Sequence, residues 1–516
     1  MPYDFIVVGA GSAGCVIASR LSQDPGTRVL LLEAGPAGWS KASTIPAAFS
    51  KLFKTSFDWA FHTEPEPQLA RRRLYWPRGK GLGGSSAINA MVWTRGSRED
   101  FDQWAALGNR GWAYHDVRPY FERAERPEGA PGPGIPVSRP RDLNPLSPCF
   151  VEAGRSLGLA PNDGFLDGRL DGVGIFRVTQ RRGARISAAG GYLNPARGRA
   201  NLTVRAGCHV GRIRFSGRRA VGVSYQRAGR PEQADAGLAV ILSAGTIGTP
   251  QLLLLSGVGP ATTLGPLGIS VVQDLPGVGE NLQDHLTVPV MYASTRPITL
   301  AGAETPGNLL RYFVFRRGPL TSNVAEAAAF VRERDGAIAP DLELVFAPSY
   351  FVDHGFGNPS GHGYTIAAIL MHPRSRGRVR VRSPDPLAPP VIEASYLSDP
   401  ADLELLLSGI EWGRRLGRAA PLDPFRGTEF LPGASDQEAG PLVEHIRRRA
   451  ETLYHPVGTC RMGPDSQAVV DPRLRVHGLE GLLVADASVM PAITTGHTRA
   501  PTVMIGERAA EWARAT

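Results

Sequence analysis

The sequence predicts an α/β fold with more than one domain, and three of its features support this prediction. The chain has 516 residues, more than the ~250–300 residues at which a single hydrophobic core stops growing. Its first 35 residues read as strand, glycine turn, helix and strand. Farther along, the run GRVRVRS (Gly377–Ser383) alternates apolar and basic residues, which is typical of a strand with one exposed face.

The N-terminal unit begins with an apolar run at Phe5–Val8, which predicts a short buried strand. Apolar residues then recur every four positions from Ala13 to Leu21, and this spacing predicts a helix with one apolar face. The run Arg28–Leu32 predicts the second strand, and Glu33 stands at its carboxyl end. The order is that of a nucleotide-binding β-α-β unit.

A G-x-G-x-x-G motif joins the first strand to this helix. Its first glycine permits a tight turn, its second lets a pyrophosphate approach the backbone, and its third lets helix and strand pack closely. The helix N-terminus attracts the anion, and the acid is placed to accept hydrogen bonds from ribose hydroxyls. The predicted nucleotide-binding residues here are Gly9, Gly11, Ser12, Ala13, Gly14, Glu33 and Ala34. NAD and FAD both use this unit, so it leaves the cofactor open.

Four further motifs, in a fixed order, narrow the choice of cofactor. They are GKGLGGSSAINAMVWTRG (Gly79–Gly96), GTIGTPQLLLLSGVG (Gly245–Gly259), PGVGENLQDH (Pro276–His285) and GLLVADASVMP (Gly481–Pro491). With them the chain resembles the glucose–methanol–choline (GMC) family of FAD-dependent oxidoreductases from residue 3 to about residue 510. The pattern is most similar to bacterial choline and alcohol dehydrogenases and to aryl-alcohol or hydroxymethylfurfural-type oxidases. The resemblance implies FAD as the cofactor.

The family's architecture implies a Rossmann-like FAD-binding domain and a second, substrate-binding domain on an antiparallel sheet, so that the fold is α/β in its first domain and α+β overall. The implied FAD-binding parts are residues 1–155, 205–290 and 441–516, and the implied substrate-domain parts are 156–204 and 291–440. Within the latter, Asp402–Arg418 reads as an amphipathic helix capped by Asp402.

By resemblance, further residues contact the cofactor. Gly83, Gly84 and Ser85 are expected along the flavin, and Asn89 and the backbone near Val92 beside its ring. Val210 is expected at the adenine, and Asp486 with Ala487 near the ribityl–pyrophosphate; an N-cap role for Asp486 is equally compatible. Some relatives attach the flavin covalently to a histidine at the position of Ile88. Because the isoleucine in this chain cannot form such a bond, we expect FAD to be bound noncovalently.

Two histidines are the expected catalytic residues. Alcohol oxidation removes the hydroxyl proton and transfers the α-hydrogen to flavin N5 as hydride, and a neutral imidazole suits the proton transfer. By resemblance, His455 in YHPVGTCRMG is the general base, and His497 in TTGHTRAPT holds the same oxygen. A rate that rises through an apparent pKa of about 6–8 is expected. Arg499 replaces an asparagine found in many relatives, and its role is left open. His285 is expected to brace loops around the cofactor.

The substrate is less well indicated. Trp93, Phe330 and Tyr454 could form an apolar wall for an aryl or furanic alcohol, although core packing explains the first two equally well. Glu326 matches an acid near the family's pocket and could hold a cation such as choline, or could be a buried structural acid. We expect oxidation of a small primary alcohol, with oxygen or another carrier as electron acceptor. The alternative is a lyase of the hydroxynitrile type, with the same fold and flavin but no net redox turnover.

Composition and charge restrict the partners. The net charge is +9, from 57 basic and 48 acidic residues, and the arginines are spread rather than clustered, so nucleic-acid binding is not expected. No apolar run is long enough for a membrane span. Scattered cysteines without CxxC pairs predict neither a metal site nor disulfides. With no leader before Tyr3, these features predict a cytoplasmic protein; the oligomeric state is not indicated.

Overall fold

The computed structural model describes residues 3–127, 129–357, 359–433 and 438–514; the outermost predicted domain limits, residues 1 and 516, lie outside these ranges. The described chain forms two seven-stranded sheets with helices packed against them. One sheet has a parallel centre and the other is antiparallel. The predicted fold class is therefore confirmed.

The first sheet is built on the N-terminal unit. Tyr3–Val8 pairs in parallel with Val29–Leu32 on one side and with the end of Arg230–Leu242 on the other. These central strands carry runs of four buried residues, because both faces of a parallel sheet are covered. The strands of this sheet are Tyr3–Val8, Val29–Leu32, Leu202–Arg205, Cys208–Ser216, Arg219–Arg227, Arg230–Leu242 and Leu482–Val484.

Two helices from opposite ends of the chain pack together on this sheet, namely Ser12–Leu21 and Arg499–Arg514. A Cβ at Gly506 would lie 3.0 Å from backbone atoms of Ala13, so any other residue there would have to push the two helices slightly apart. The buried guanidinium of Arg20 also forms a bidentate ion pair with Glu507. This packing fixes the C-terminal helix beside the first glycine turn.

The second sheet is antiparallel throughout and carries one long helix, Pro400–Gly417. Gly409, Gly413 and Gly417 face the sheet, and a Cβ at each would lie within 3.0 Å of a sheet side chain. The helix can therefore lie unusually close to the strands. The strands of this sheet are Gly172–Ile175, Leu286–Ser294, Ala327–Val331, Leu342–Ala347, Gly363–Leu370, Arg426–Leu431 and Glu451–Thr452.

The predicted cap of this helix was wrong. The N-cap is Asp399, whose side chain accepts from the N–H of Ala401, and Pro400 occupies the first helical position, where its missing N–H costs nothing. Asp402 is buried in the first turn and accepts the N–H groups of Arg374 and Ser375 instead. It ties a neighbouring loop to the helix.

The alternating run at Gly377–Ser383 forms a shorter strand than its pattern suggests. Arg378–Arg380 pairs with Val391–Glu393 in a separate two-stranded sheet. Val379 and Val381 are buried and Arg378 is exposed, as the alternation predicts. The strand is not part of the seven-stranded antiparallel sheet.

Three strands lie across or beyond the expected domain limits. Leu202–Arg205 spans the limit at 204 and belongs to the first sheet. Leu286–Ser294 spans the limit at 290 and belongs to the second sheet, as does Glu451–Thr452, which follows the limit at 440. The residue pattern of a strand does not show which sheet the strand joins. Domain limits predicted from the sequence can therefore fall inside a strand.

The other elements are shorter or peripheral. The helices are Arg98–Ala106, Tyr114–Ala124, Leu146–Ser156, Asn194–Ala196, Gly245–Leu255, Ala261–Leu264, Pro306–Phe315 and Ala439–Arg449. Short strands are Phe61–His62, Tyr75–Trp76, Val92–Trp93, Glu125–Arg126, Ile135–Pro136, Arg177–Val178, Gln180–Arg181, Ala184–Arg185, Val258–Gly259 and Gln273–Asp274. Within the described ranges, no helix combines the length and apolar character needed to cross a bilayer.

Candidate active site

A cavity of about 630 Å³ lies between the two sheets. On one side it is lined by the carboxyl ends of the parallel strands, at Val8, Leu32 and Ser243. On the other side the antiparallel sheet contributes alternate residues of a strand, such as Thr287 and Met291. Open α/β sheets bind their ligands at the carboxyl ends of parallel strands, so this cavity is the candidate active site.

The first glycine turn has the form of an anion cradle. Gly9 has φ +96°, and a Cβ there would lie 2.4 Å from the carbonyl oxygen of Ser243. Gly11 caps the helix Ser12–Leu21 without any side-chain hydrogen bond, and no acid occupies the first turn. The N–H groups at this helix start are therefore available to an anion. Gly9, Gly11, Ser12 and Ala13 line the cavity, whereas Gly14 packs beneath the turn.

Glu33 joins three cavity loops. Its buried carboxylate accepts backbone N–H groups from Ala10, Gly35 and Gly81 at 2.8, 2.8 and 3.0 Å. Burial raises the pKa of this carboxyl group, and these hydrogen bonds oppose that effect. A carboxylate has about four acceptor sites, so one remains for a ribose hydroxyl. Glu33 and Ala34 both line the cavity, which fits the expected nucleotide.

The second glycine segment lies against the first. Gly84 has φ +51°, and a Cβ there would approach Cα of Gly11 to 2.8 Å. Gly84, Ser85, Asn89 and Val92 line the cavity, while Gly83 packs behind them against Ser187. Glycine at position 84 therefore lets this segment lie directly against the first glycine turn, so the two form one continuous wall for the expected FAD.

The remaining cofactor residues lie on the same wall. Val210 in Cys208–Ser216 lines the cavity, as do Asp486 and Ala487. The buried carboxylate of Asp486 accepts from the N–H groups of Gly245 and Ser488, so it caps the turn Ala487–Val489 and braces a neighbouring helix start. Burial raises the pKa of Asp486.

The two predicted catalytic histidines meet in this cavity. The ring centroids of His455 and His497 are 4.9 Å apart, with an interplanar angle of 83°, and both residues line the cavity. The backbone N–H of His455 donates to Asp284 at 2.7 Å, and that of His497 donates to Thr94 at 3.0 Å. Each turn is therefore held in place independently of the imidazole.

His285 determines the tautomer of His455. Its Nε2 lies 3.0 Å from the carbonyl oxygen of Met371, which can only accept, so this nitrogen carries the hydrogen. In neutral His285, Nδ1 is then an acceptor, and it lies 3.0 Å from Nδ1 of His455. His455 must donate from Nδ1, which leaves Nε2 unprotonated. The sequence indicated only a bracing role for His285 and missed this contact.

Burial keeps this pair neutral. It lowers the pKa of His455 well below the usual value, and the neighbouring His497 and His285 lower it further. The pKa of His285 is lowered by burial and by His372 and His497. These shifts favour an apparent pKa below the expected range of about 6–8, which took no account of burial and adjacent imidazoles.

His497 has its own acidic partner. Its Nε2 lies 3.2 Å from Oε1 of Glu343, a fully buried carboxylate. Since a carboxylate only accepts, Nε2 carries a hydrogen and Nδ1 is the nitrogen left for a ligand. The ring also packs edge-on against Phe176. These contacts hold the imidazole in one orientation, and no sequence motif indicated Glu343.

Of the expected substrate residues, only Tyr454 lines the cavity. Its hydroxyl lies 2.7 Å from Nδ1 of His354. Trp93 points away because its neighbour Val92 on the same short strand faces the cavity, and the indole N–H donates to Glu125. Phe330 packs in the core on Phe165. Both aromatic assignments to the substrate wall were wrong.

Glu326 is a buried structural acid. Its carboxylate accepts from the hydroxyl of Ser147 at 2.6 Å, from the hydroxyl of Ser322, and from the N–H of Asn144 at 2.9 Å. It does not line the cavity, so the cation-binding alternative was wrong. The sequence missed the residues that do form the apolar wall, Phe49 and Phe53; their four-residue spacing was the available signal.

Arg499 is buried and lines the cavity. Its guanidinium donates to the hydroxyl of Thr179 and to the carbonyl of Ile186, and among the residues that the structure describes none accepts a hydrogen bond from its Nε. Beside it, Arg185 donates to the side-chain oxygen of Asn89 at 2.9 Å. Burial lowers the pKa of each to about 9, and for Arg185 the charge of Arg499 adds to this effect. Neither forms an ion pair with a carboxylate among the described residues.

Comparison with known proteins identifies, along nearly the whole chain, the same family that the sequence motifs indicated. Models of the N-terminal and C-terminal parts of the GMC oxidoreductases match residues 3–287 and 373–506. Alcohol dehydrogenase [acceptor] of Pseudomonas putida is 44% identical over 526 residues, covering 99% of this chain and 95% of the relative. Human mitochondrial choline dehydrogenase is 42% identical over 530 residues, covering 99% and 89%.

A solved structure extends the comparison to the fold. Pyridoxine 4-oxidase from Mesorbium loti superposes with a TM-score of 0.91 at 33% identity, covering 100% of this chain and 99% of that structure. The arrangement of both sheets is therefore shared along the whole length.

Proposed function

Since the chain belongs to the GMC oxidoreductase family, we propose that it oxidises a small primary alcohol to the aldehyde, with FAD as its cofactor. The observation that carries this proposal is the histidine pair, in which two imidazoles meet at 4.9 Å in the cavity and the tautomer of one is fixed. When bound, FAD supplies the two-electron acceptor and takes up the α-hydrogen of the alcohol as hydride.

The chain's own residues handle the proton. His455 has an unprotonated Nε2, which accepts the hydroxyl proton, and its Nδ1–H continues to donate to His285. Glu343 fixes the ring of His497 through Nε2. To donate to the same oxygen from Nδ1, this imidazole must carry a hydrogen on both nitrogens. Such positioning supplies much of the rate acceleration in oriented reactions. One proton leaves the oxygen and one hydride leaves the carbon, so the alcohol becomes an aldehyde.

The residues of the first sheet fit FAD. The helix start at Ser12 offers free N–H groups for the pyrophosphate, and Glu33 keeps one acceptor site for a ribose. Gly84 lets its segment lie against Gly11, so the two glycine segments form one wall. We propose noncovalent binding, because Ile88, which lines the cavity where some relatives carry the linking histidine, has no nucleophile. Acid should release yellow FAD into the supernatant; flavin retained in the pellet would contradict noncovalent binding.

The cavity wall favours a neutral aryl or furanic alcohol. Phe49, Phe53 and Tyr454 line it, and the acid expected to hold a cation, Glu326, lies outside it. Glu451, which does line the cavity, is paired with Arg72 at 2.7 Å. A choline-like alcohol is the second candidate, because Asp353 also lines the cavity, near the aromatic side chains.

The test is anaerobic mixing of the purified protein with benzyl alcohol, hydroxymethylfurfural, pyridoxine, choline or 1-hexanol, followed by air. Loss of the visible flavin absorption with one class identifies the substrate, and rapid return in air identifies an oxidase rather than a dehydrogenase. His455→Asn should abolish bleaching. His477→Asn is the matched control, since the His477 imidazole contacts the carbonyl of Gly463 and does not line the cavity. Conversion of a cyanohydrin without bleaching would support a lyase instead.

A further inference from the structure

The helix Pro306–Phe315 exposes an unusual number of large apolar side chains. Leu310, Phe313, Val314 and Phe315 are 65%, 51%, 59% and 66% exposed, and Tyr312 is the one buried residue of this helix. Clusters of exposed apolar residues on a protein surface usually mark an interaction site. We call these four residues the apolar face.

The helix is firmly attached, so this exposure belongs to the folded protein. The Tyr312 hydroxyl donates to the carbonyl of Thr44 at 2.9 Å, and its ring packs in a small core with Ile45 and Leu320. Thr305 caps the first turn through the N–H of Asn308. The guanidinium of Arg316 lies 4.8 Å from the Tyr312 ring centroid at the other end.

Basic residues lie beside the apolar face, and we call them the basic rim. It consists of three exposed residues: Arg311 on the helix, Arg317 just after it, and Lys41, three residues before the Thr44 whose carbonyl accepts from Tyr312. The acids next to the rim already form ion pairs, Asp142 with Arg317 and Glu304 with Lys51. The rim therefore carries net positive charge.

From this combination we propose that the apolar face and its basic rim dock the protein on the surface of a membrane that contains anionic lipids. Apolar side chains enter the boundary between headgroups and acyl chains while basic side chains contact anionic headgroups. A second copy of the chain would bring one basic rim against another, and like charges oppose that contact. A negatively charged lipid surface complements both features.

Docking there also orients the active-site cavity. The core that holds Tyr312 includes Ala48, in the short helix Pro46–Leu52. Phe49, the next residue of this helix, lines the cavity, as does Phe53 just after it. The membrane-facing helix is therefore joined through this small core to the segment that forms one cavity wall, so that a lipid-dissolved ligand would be presented near that wall.

Vesicle flotation of the full-length, cofactor-loaded protein tests the proposal. We expect it to float with vesicles of one part phosphatidylglycerol to two parts phosphatidylcholine, less so at high salt, and not with phosphatidylcholine alone. The triple variant Phe313→Ser, Val314→Ser, Phe315→Ser should lose about tenfold or more of this partitioning. Arg311→Glu should weaken it through charge alone. Flavin content and melting temperature should not change, because the substituted side chains are exposed.

The control changes equally exposed apolar residues elsewhere, Leu238→Ser, Ile338→Ser and Leu387→Ser, and should float like the parent. Failure of the parent to bind anionic vesicles, or equal binding by both triple variants, would overturn the proposal. So would a dimer in size-exclusion chromatography that the Phe313 triple variant converts to a monomer, since the apolar face would then bind a second copy.

Discussion

Nδ1 of His285 lies 3.0 Å from Nδ1 of His455, while Nε2 of His285 lies 3.0 Å from a carbonyl oxygen. The second contact fixes the hydrogen of His285, and the first then fixes that of His455. A neutral His455 consequently presents a lone pair from Nε2. A residue outside the cavity wall thus determines which ring nitrogen of His455 carries the hydrogen.

The first prediction tests His285 as a positioning residue. His285→Leu removes the acceptor and leaves the buried Nδ1–H of His455 unpaired, which costs about 1–3 kcal/mol of free energy. The rate of flavin reduction by alcohol should fall about 10–100-fold, while FAD remains bound. His285→Gln keeps an amide oxygen as acceptor and should recover part of the loss. Equal rates for parent and His285→Leu would show that the contact does not set the tautomer.

The second prediction concerns pH. Because burial and neighbouring histidines lower the pKa of His455, Nε2 stays unprotonated to lower pH than a free imidazole, whose pKa is about 6.5. The profile of kcat/KM should be flat near neutral pH and fall only below about pH 6. In His285→Gln a neighbour that lowers this pKa is gone, so the fall should begin at higher pH. A midpoint above 7 in the parent would contradict this account.

The third prediction separates structural from substrate-binding roles at Glu326. Glu326→Leu leaves the buried donors of Ser147, Ser322 and Asn144 without their acceptor, so the free energy of unfolding should fall by about 1–3 kcal/mol. The ratio of kcat/KM for choline to that for benzyl alcohol should not change. Chemical denaturation and steady-state kinetics measure the two effects. A selective loss of choline activity would return Glu326 to the substrate pocket.

Single helices and strands of this fold could be predicted from the sequence. Contacts that depend on which strands pair with each other could not. Tyr3–Val8 and Ser12–Leu21 could be predicted because periodicity within each segment reveals its structure. The contact of His285 with His455 could not, because it arises where Leu286 pairs with Thr452 across the second sheet. Trp93 was misassigned because one residue of register decides which side of a strand faces the cavity.

The fourth prediction uses two glycines of one motif. A Cβ at Gly14 would lie 1.9 Å from the carbonyl oxygen of Gly9, whereas a Cβ at Gly11 meets nothing closer than 3.9 Å. Gly14→Ala should therefore lower the melting temperature even without cofactor. Gly11→Ala should fold normally but bind FAD more weakly, because its methyl group occupies space beside the helix start. Calorimetry of the cofactor-free protein and FAD titration distinguish the two. Similar effects in both variants would not fit this geometry.

The last prediction concerns Arg499, a buried cation on the cavity wall that has no carboxylate partner among the described residues. A buried unpaired charge destabilises a protein, and an apolar residue of similar size relieves that cost. Arg499→Met should therefore leave the cofactor-free protein as stable as the parent or more so. If an anionic part of FAD is its partner, the Kd for FAD should rise about 10-fold or more, as for a charged hydrogen bond.

Arg20→Met provides the matched contrast, because Arg20 is equally buried but paired with Glu507. Removing Arg20 leaves Glu507 with Arg123 at 2.9 Å and the Tyr192 hydroxyl at 2.7 Å. This variant should therefore lose stability, but less than the about 3–5 kcal/mol expected when a buried charge is left without any partner. Thermal unfolding with and without FAD measures both variants. A destabilised cofactor-free Arg499→Met protein with unchanged FAD affinity would mean that Arg499 serves only its contacts with Thr179 and Ile186. A gain in stability together with weaker FAD binding would mean that this cation is retained for the ligand.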